Sequence, residues 1–452
     1  MKKYFNIFFS IFILFISVYH YDYWTNGNTV SRAVFVKTVV DDHSLNVDKY
    51  HKESIDIAFV NGHYYSDKAP LPALMSMPLY FFLQKLGLPN DKYYLIYTVG
   101  NFIAGSLPFA LIILITFFFV QQSYPKPENI FLCSLPFLGS FIFIYSGTFF
   151  AHALTSFLVL AAYILIRKKE NYFLSGVFSG MAVLCEYPVF IIAAIWAIQI
   201  LINKKKIKPV LFFIAGGLPF GIFLMINNHI ITGSPLNFLY NHQQNFPAGA
   251  ENLGFSKLPR IEAVLQLSLG IYRGILFFAP ALIALILIFF RKKNFDSTAL
   301  KDYLVRPCII YFLAICTNVA WYGGWCYGPR YLSAIAVLFL FEGSMRMSKQ
   351  TRPKKILFYF FTCIGLLFAF MAKSTVIYSL PTEEKNPMFN IIIPEFFKGN
   401  FNKNNLLSIL FNTDAPTGNF LWLPFLFAGL YFFYYWQKRI GANNNERSIQ
   451  VF

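Results

Sequence analysis

The stretch YYLIYTVGNFIAGSLPFALIILITFFFV, residues 93–120, runs for 28 residues without a charged side chain. At about 1.5 Å of helical rise per residue, it exceeds the roughly 30 Å hydrocarbon core of a bilayer. Working outward, comparable apolar runs recur at 4–21, 130–146, 149–166, 172–186, 188–203, 209–232, 270–290, 303–320, 331–346, 355–374 and 419–436. The chain is 57% hydrophobic and only 13% charged, about half the charged share of a soluble domain. The expected fold is all-α: one polytopic membrane domain over residues 1–452 with about 12 transmembrane helices.

Charge sets the expected orientation. Lys2-Lys3, Arg167-Lys168-Lys169, Lys204-Lys205-Lys206, Arg291-Lys292-Lys293, the run Arg346 to Lys355, and Lys438-Arg439 separate the apolar runs. With the N-terminus inside, all of them fall on the cytoplasmic face, and so do both termini. The protein is expected to be integral to the cytoplasmic membrane. A net charge of +17 could suggest nucleic acid, but this clustering marks topology, and no nucleic-acid partner is expected. The N-terminal run lacks a small-x-small cleavage site and reads as an uncleaved anchor. Six cysteines without paired spacing point to neither a disulfide framework nor a zinc site. The Asn-rich tail, 441–452, reads as disordered.

The same topology puts residues 22–92 on the outer face, together with loops 233–269 and 375–418. The first loop, with its interfacial helices, holds eight of the 21 carboxylates: Asp22, Asp41, Asp42, Asp48, Glu53, Asp56, Asp67 and Asp91. A transporter usually keeps its loops short and buries charge at the bilayer midplane. An enzyme at a membrane surface needs acids, bases and substrate grips on one side. The active site is therefore expected at the outer surface.

Three motifs suit such chemistry. Asp41-Asp42 could act as a general base, ligate a divalent cation, or simply be solvated. In Asn61-Gly-His-Tyr-Tyr-Ser-Asp-Lys-Ala-Pro-Leu-Pro72, Tyr64 and Tyr65 offer stacking surfaces and Asp67 an acid. Lys68 stands before a proline-led helix, where it could meet a phosphate or snorkel as an anchor. In Trp321-Tyr-Gly-Gly-Trp-Cys-Tyr-Gly-Pro-Arg-Tyr331, Trp325 and Tyr327 flank a glycine-rich bend. Arg330 there could grip a phosphate through two parallel hydrogen bonds, or be an interfacial Arg in an aromatic belt. His152, Glu186 and Arg273 are ionisable groups at the edges of apolar runs. No Walker loop, dinucleotide fingerprint or HExxH is present. No cofactor is called for beyond a divalent cation that such acids could hold.

Asp67-Lys68-Ala-Pro-Leu71, Pro78-Leu-Tyr80 and Gly323-Gly-Trp-Cys-Tyr-Gly-Pro-Arg330-Tyr-Leu332, with the acid-rich first loop, resemble the GT-C superfamily of membrane glycosyltransferases. The similarity is to the glycosyltransferase family 39-like branch of protein O-mannosyltransferases and lipid A aminoarabinose transferases. That resemblance implies inverting transfer of a sugar from a polyprenyl-phosphate donor to an envelope glycan, lipid or protein acceptor. It also implies a carboxylate base in the first outer loop and basic side chains on the donor phosphate. Lys68 and Arg330 fit as the phosphate grips, and Tyr64, Tyr65, Asp67, His152, Trp325 and Tyr327 as substrate contacts. The family's acidic pair just after the first span has no counterpart in Thr25-Asn-Gly-Asn-Thr-Val-Ser-Arg32. The expected base is Asp41 or Asp42, with Asp22 in reserve. The rival expectation is a multi-span transporter or flippase of lipid-linked or envelope substrates.

Overall fold

The computed structural model describes residues 2–23, 26–246, 254–289, 301–375 and 380–449. The basic cluster Arg291-Lys292-Lys293 lies outside them. The protein is mostly helical (72%). Leaving short turns unnumbered, it runs α1 (Lys2–Val18), α2 (Gly27–Val40), the hairpin strands β1 (Ile57–Val60) and β2 (His63–Ser66), then α3 (Leu71–Lys85). The bundle follows with α4 (Asp91–Ser123), α5 (Asn129–Leu138), α6 (His152–Ile164), α7 (Tyr172–Cys185), α8 (Tyr187–Lys204) and α9 (Ile207–Thr232). It closes with α10 (Arg306–Thr317), α11 (Ser333–Met347), α12 (Arg352–Ser374) and α13 (Trp422–Ile449).

Among the described residues, four helices are long and apolar enough to span a membrane: α4, α8, α9 and α12. Each of the twelve apolar runs contains helix, but several are shorter or broken. Run 130–146 stops at Leu138 and restarts as Phe141–Ile144, and run 270–290 divides into Ile275–Phe278 and Ala281–Phe289. Gly139-Ser140 and Ala279-Pro280 sit at the two breaks, and a proline cannot donate the amide that would continue the helix. The tail read as disordered instead extends α13 as far as Ile449. Elongating a helix already formed costs little per residue compared with nucleating one.

Local sequence explains the starts. Asn26 caps α2 through a reciprocal box with Thr29, its side chain accepting from the Asn28 amide at 3.0 Å. Pro72 and Pro353 occupy the first turns of α3 and α12, where a missing amide proton costs nothing. Within the bundle, α7 and α9 approach through Gly176 and Gly216. A Cβ on either would collide with a backbone carbonyl, of Phe213 or Phe173 respectively. Such contact exploits small residues where lipid gives helices no hydrophobic reason to associate. Gly176→Leu would force the pair apart, an overpacking penalty of about 1–3 kcal/mol or more.

The first loop is a folded cap with its own core. Val30, Ala33, Val34 and Val36 of α2 pack with Ile57, Ala73, Met77 and Tyr80, and against Leu95, Ile96 and Val99 at the start of α4. The β1–β2 hairpin is antiparallel, Ile57 opposite Ser66 and Val60 opposite His63, turning on Asn61-Gly62 in left-handed conformation. This cap fixes the side of the bundle on which α2 lies.

Candidate functional site

At the cap end of the bundle, four elements bring charged groups together. α2 supplies Arg32 from its middle, α6 supplies His152 as its first residue, α7 ends on Glu186, and the turn before α11 supplies Arg330. His152 Nδ1 pairs with Glu186 Oε1. The imidazole is buried and enclosed by rings: Tyr145 edge-on at 4.9 Å, Phe150 stacked at 5.5 Å and Tyr331 at 6.4 Å.

Neither guanidinium here makes an ion pair within 4 Å among the described residues. Arg32 is buried and donates to the Asn28 carbonyl at 3.3 Å and to the Asn28 side chain, one turn back on its own helix. Its Nε has no hydrogen-bond partner, and neither has Nε of Arg330. Burial pushes Arg32 down to about 10, with Glu186 pulling it up and Arg330 pressing it further down. Keeping that charge at neutral pH therefore costs roughly 3 kcal/mol, at about 1.4 kcal/mol per unit. Arg330 lies over the rings of Phe150 at 5.4 Å and Tyr331 at 5.2 Å. A buried cation and a half-buried one that press on each other attract an anion.

The glycine-rich bend serves Arg330 itself. Gly323 has φ of +80°, and a Cβ there would lie 3.1 Å from Cγ and Nε of Arg330. Arg273, fully buried, clamps the bend by donating to the carbonyls of Tyr322 (3.0 Å), Gly324 (3.2 Å) and Tyr272 (3.2 Å) while stacking on Tyr272 at 4.2 Å. Trp325 is exposed, and its carbonyl accepts from Asn26 at the cap of α2, 3.4 Å away. Tyr327, expected to contact substrate, is core instead: its carbonyl accepts from Tyr145 at 2.7 Å and its ring packs edge-on against Phe278.

Lys68 lies beside this group with its charge engaged. Its ammonium is 3.1 Å from Asp56 and 3.1 Å from Asp67, and the two acids hold it protonated well above the usual lysine range despite burial. Asp67 is buried, which raises its carboxyl against the pull of Lys68, and it accepts from Gln243, tying the cap to loop 233–269. Tyr65 and Lys68 line a small, open cleft with Phe35, Tyr187 and Ile231. Burial raises the Tyr240 hydroxyl far above its usual range, against the pull of Lys68 and of Arg330, so this ring feels both cations. Tyr64 stacks on His51 at 4.3 Å, and its amide donates to Asp48 at 2.6 Å.

The three expected bases lie elsewhere. Asp41 follows Arg32 by nine residues, which on a helix means about 13 Å along the axis and half a turn around it. Its oxygens accept from Tyr80 (3.0 Å), Gln84 (2.9 Å) and Lys37 (3.1 Å). Asp42 pairs with Lys49 at 3.0 Å. Asp22 lines a separate, smaller pocket with His20, Tyr21, Lys373 and Asn404. Among the described residues, no three His, Cys, Asp or Glu side chains cluster as a metal centre would need.

Arg32 belongs to none of the sequence motifs, and Glu186 stands out in the sequence only as an ionisable group at the edge of an apolar run. The available signal was an arginine amid the uncharged run from Asn26 to Val36 of a helix that must bury one face. The chain matches no protein-family model, no curated protein and no solved structure.

Proposed function

We propose that this protein is a membrane glycosyltransferase that moves a sugar, with inversion, from a polyprenyl-phosphate donor to an envelope glycan, lipid or protein. In this reading the chain crosses the cytoplasmic membrane about twelve times, both termini lie inside, and the cap end faces out. The observation that carries it is the pair of guanidiniums, Arg32 and Arg330, neither in an ion pair among the described residues, close to the Glu186–His152 pair.

The chemistry follows from those groups. Arg32 and Arg330 hold the donor phosphate, and their charge offsets the negative charge growing on it as the anomeric C–O bond breaks. Glu186, the more exposed of the pair at 11% against 5%, takes the proton of the acceptor hydroxyl while that oxygen bonds to the anomeric carbon. His152 holds the other carboxylate oxygen and so orients the base. Lys68, with two carboxylates of its own, positions the cap and does not grip the phosphate.

The direct test is the lipid-linked sugar profile of a deletion strain, complemented with the wild type or with Arg330→Ala. One polyprenyl-phosphate sugar should accumulate on deletion, clear with the wild type and persist with the variant. Normal clearance by Arg330→Ala, at matched expression, would remove that residue from donor binding. Accumulation on the inner leaflet alone would favour a flippase instead.

A further inference from the structure

The helices that carry His152 and Arg330 at one end gather a second charged cluster at the other. α6 continues through a π-helical turn, Leu165–Lys169, bringing Arg167 and Lys168 beside Arg346 and Lys349 at the far end of α11. The loop between α4 and α5 adds Lys126, whose ammonium donates to the Ser348 carbonyl at 3.0 Å, while Lys349 lies 4.2 Å over the Tyr124 ring. Among the described residues, the acid inside this group is Glu342, buried and already committed to Arg167 and to the Tyr163 hydroxyl at 2.9 Å. Lys355 and Glu128 pair alongside at 2.5 Å and cancel. Among the described residues, Arg167, Lys168, Lys126 and Lys349 thus converge on one carboxylate. Partial burial, then Arg167, Arg346 and Lys349, hold the Lys168 ammonium below its usual range.

A sidedness rule for Lys and Arg explains why these residues share one end of the bundle, but not why three separate loops converge. The surroundings supply the rest. Phe173 and Leu174 follow Arg167–Lys169 and are exposed, as are Ile356 and Phe360 after Arg352–Lys355. Apolar side chains facing outward beside converging cations match a molecule with acyl chains and an anionic head. We propose that this cluster binds the phosphate headgroup of an anionic phospholipid in the adjacent leaflet.

The test uses the full chain in neutral detergent, titrated with phosphatidylglycerol and, separately, with inorganic pyrophosphate. Saturable phosphatidylglycerol binding is expected, weakened about fivefold for each exposed cation removed. Lys168→Gln with Lys349→Gln should therefore lose about twenty-fivefold, and Lys349→Gln alone, should the double variant misfold, about fivefold. Lys438→Gln with Arg439→Gln, a basic pair on α13, should change binding less than about twofold. Equal losses in the two double variants would overturn the site in favour of diffuse surface charge. Pyrophosphate binding as tightly as the lipid would overturn the lipid as ligand and make the source a soluble phosphate.

Discussion

Helix α2 carries two charged regions that differ in what their charges hold. At its C-terminal end, Asp41 and Asp42 have Lys37, Lys49, Tyr80 and Gln84 within hydrogen-bond distance. In its middle, Arg32 has only its own helix's Asn28, and Arg330 nearby adds a second charge. The first region closes on itself and fastens α2 to α3. The second is left open at a free-energy cost, which a fold keeps only when something else completes it. Acid pairs draw the eye in a sequence, yet here it is the two cations that keep a guanidinium nitrogen without a hydrogen-bond partner.

Substitutions can break or sharpen that contrast. Arg330→Ala and Arg32→Gln should each lower transfer about a hundredfold to a thousandfold, while Asp42→Asn stays within about threefold. Arg32→Gln should also leave the melting temperature unchanged or raise it, since it removes a buried, unpaired charge. A loss for Asp42→Asn equal to that for Arg330→Ala would collapse the distinction. Glu186→Gln should slow transfer by about a hundredfold or more at unchanged expression, read from single-turnover rates with saturating donor.

Arg273→Met tests the clamp behind Arg330. Three carbonyls lose a charged donor, so a destabilisation of about 2–4 kcal/mol is expected from denaturant unfolding in detergent. Asp41→Ala leaves the Tyr80 hydroxyl and Gln84 amide without their acceptor and should cost about 1–3 kcal/mol of cap stability with transfer retained. Hydrogen exchange confined to α2 and α3 would show it.

The smallest effect is on pH. Against a slight burial penalty, hydrogen bonds from Lys49 and Tyr50 hold the Asp42 carboxyl below its ordinary 3.8. A lowered folded-state value gives stability that is present above 3.8 and lost as pH falls through the folded-state value. The thermal midpoint should therefore drop slightly below about pH 4, less in Asp42→Asn than in the wild type. An equal drop in both would assign the acid sensitivity to other carboxylates.

Much of this was legible in the residues. The apolar runs located the helices because a bilayer-length stretch without charge has few other folded outcomes. Arg330 was found because three glycines and a proline around one cation are unusual at a helix end. The pairing of Lys68 was not legible, since Asp56 stands twelve positions before it and only the hairpin between them brings that acid to 3.1 Å. The partners of Asp41, Tyr80 and Gln84, were not legible because they lie about forty residues away on α3. Arg32 was missed because a lone arginine carries no motif.

By itself the sequence determined a helical protein built on long apolar runs, with a long acid-rich loop after the first of those runs. Those properties follow from composition and near-neighbour spacing, which the unfolded chain already has. Tertiary structure alone decided which charges are spent and which are open, because pairing depends on distances between segments that the chain order leaves free. Asp41 beside Tyr80, Lys68 between two acids, and Arg32 facing Arg330 and Glu186 exist only once α2, α3, α7 and the bend before α11 have packed.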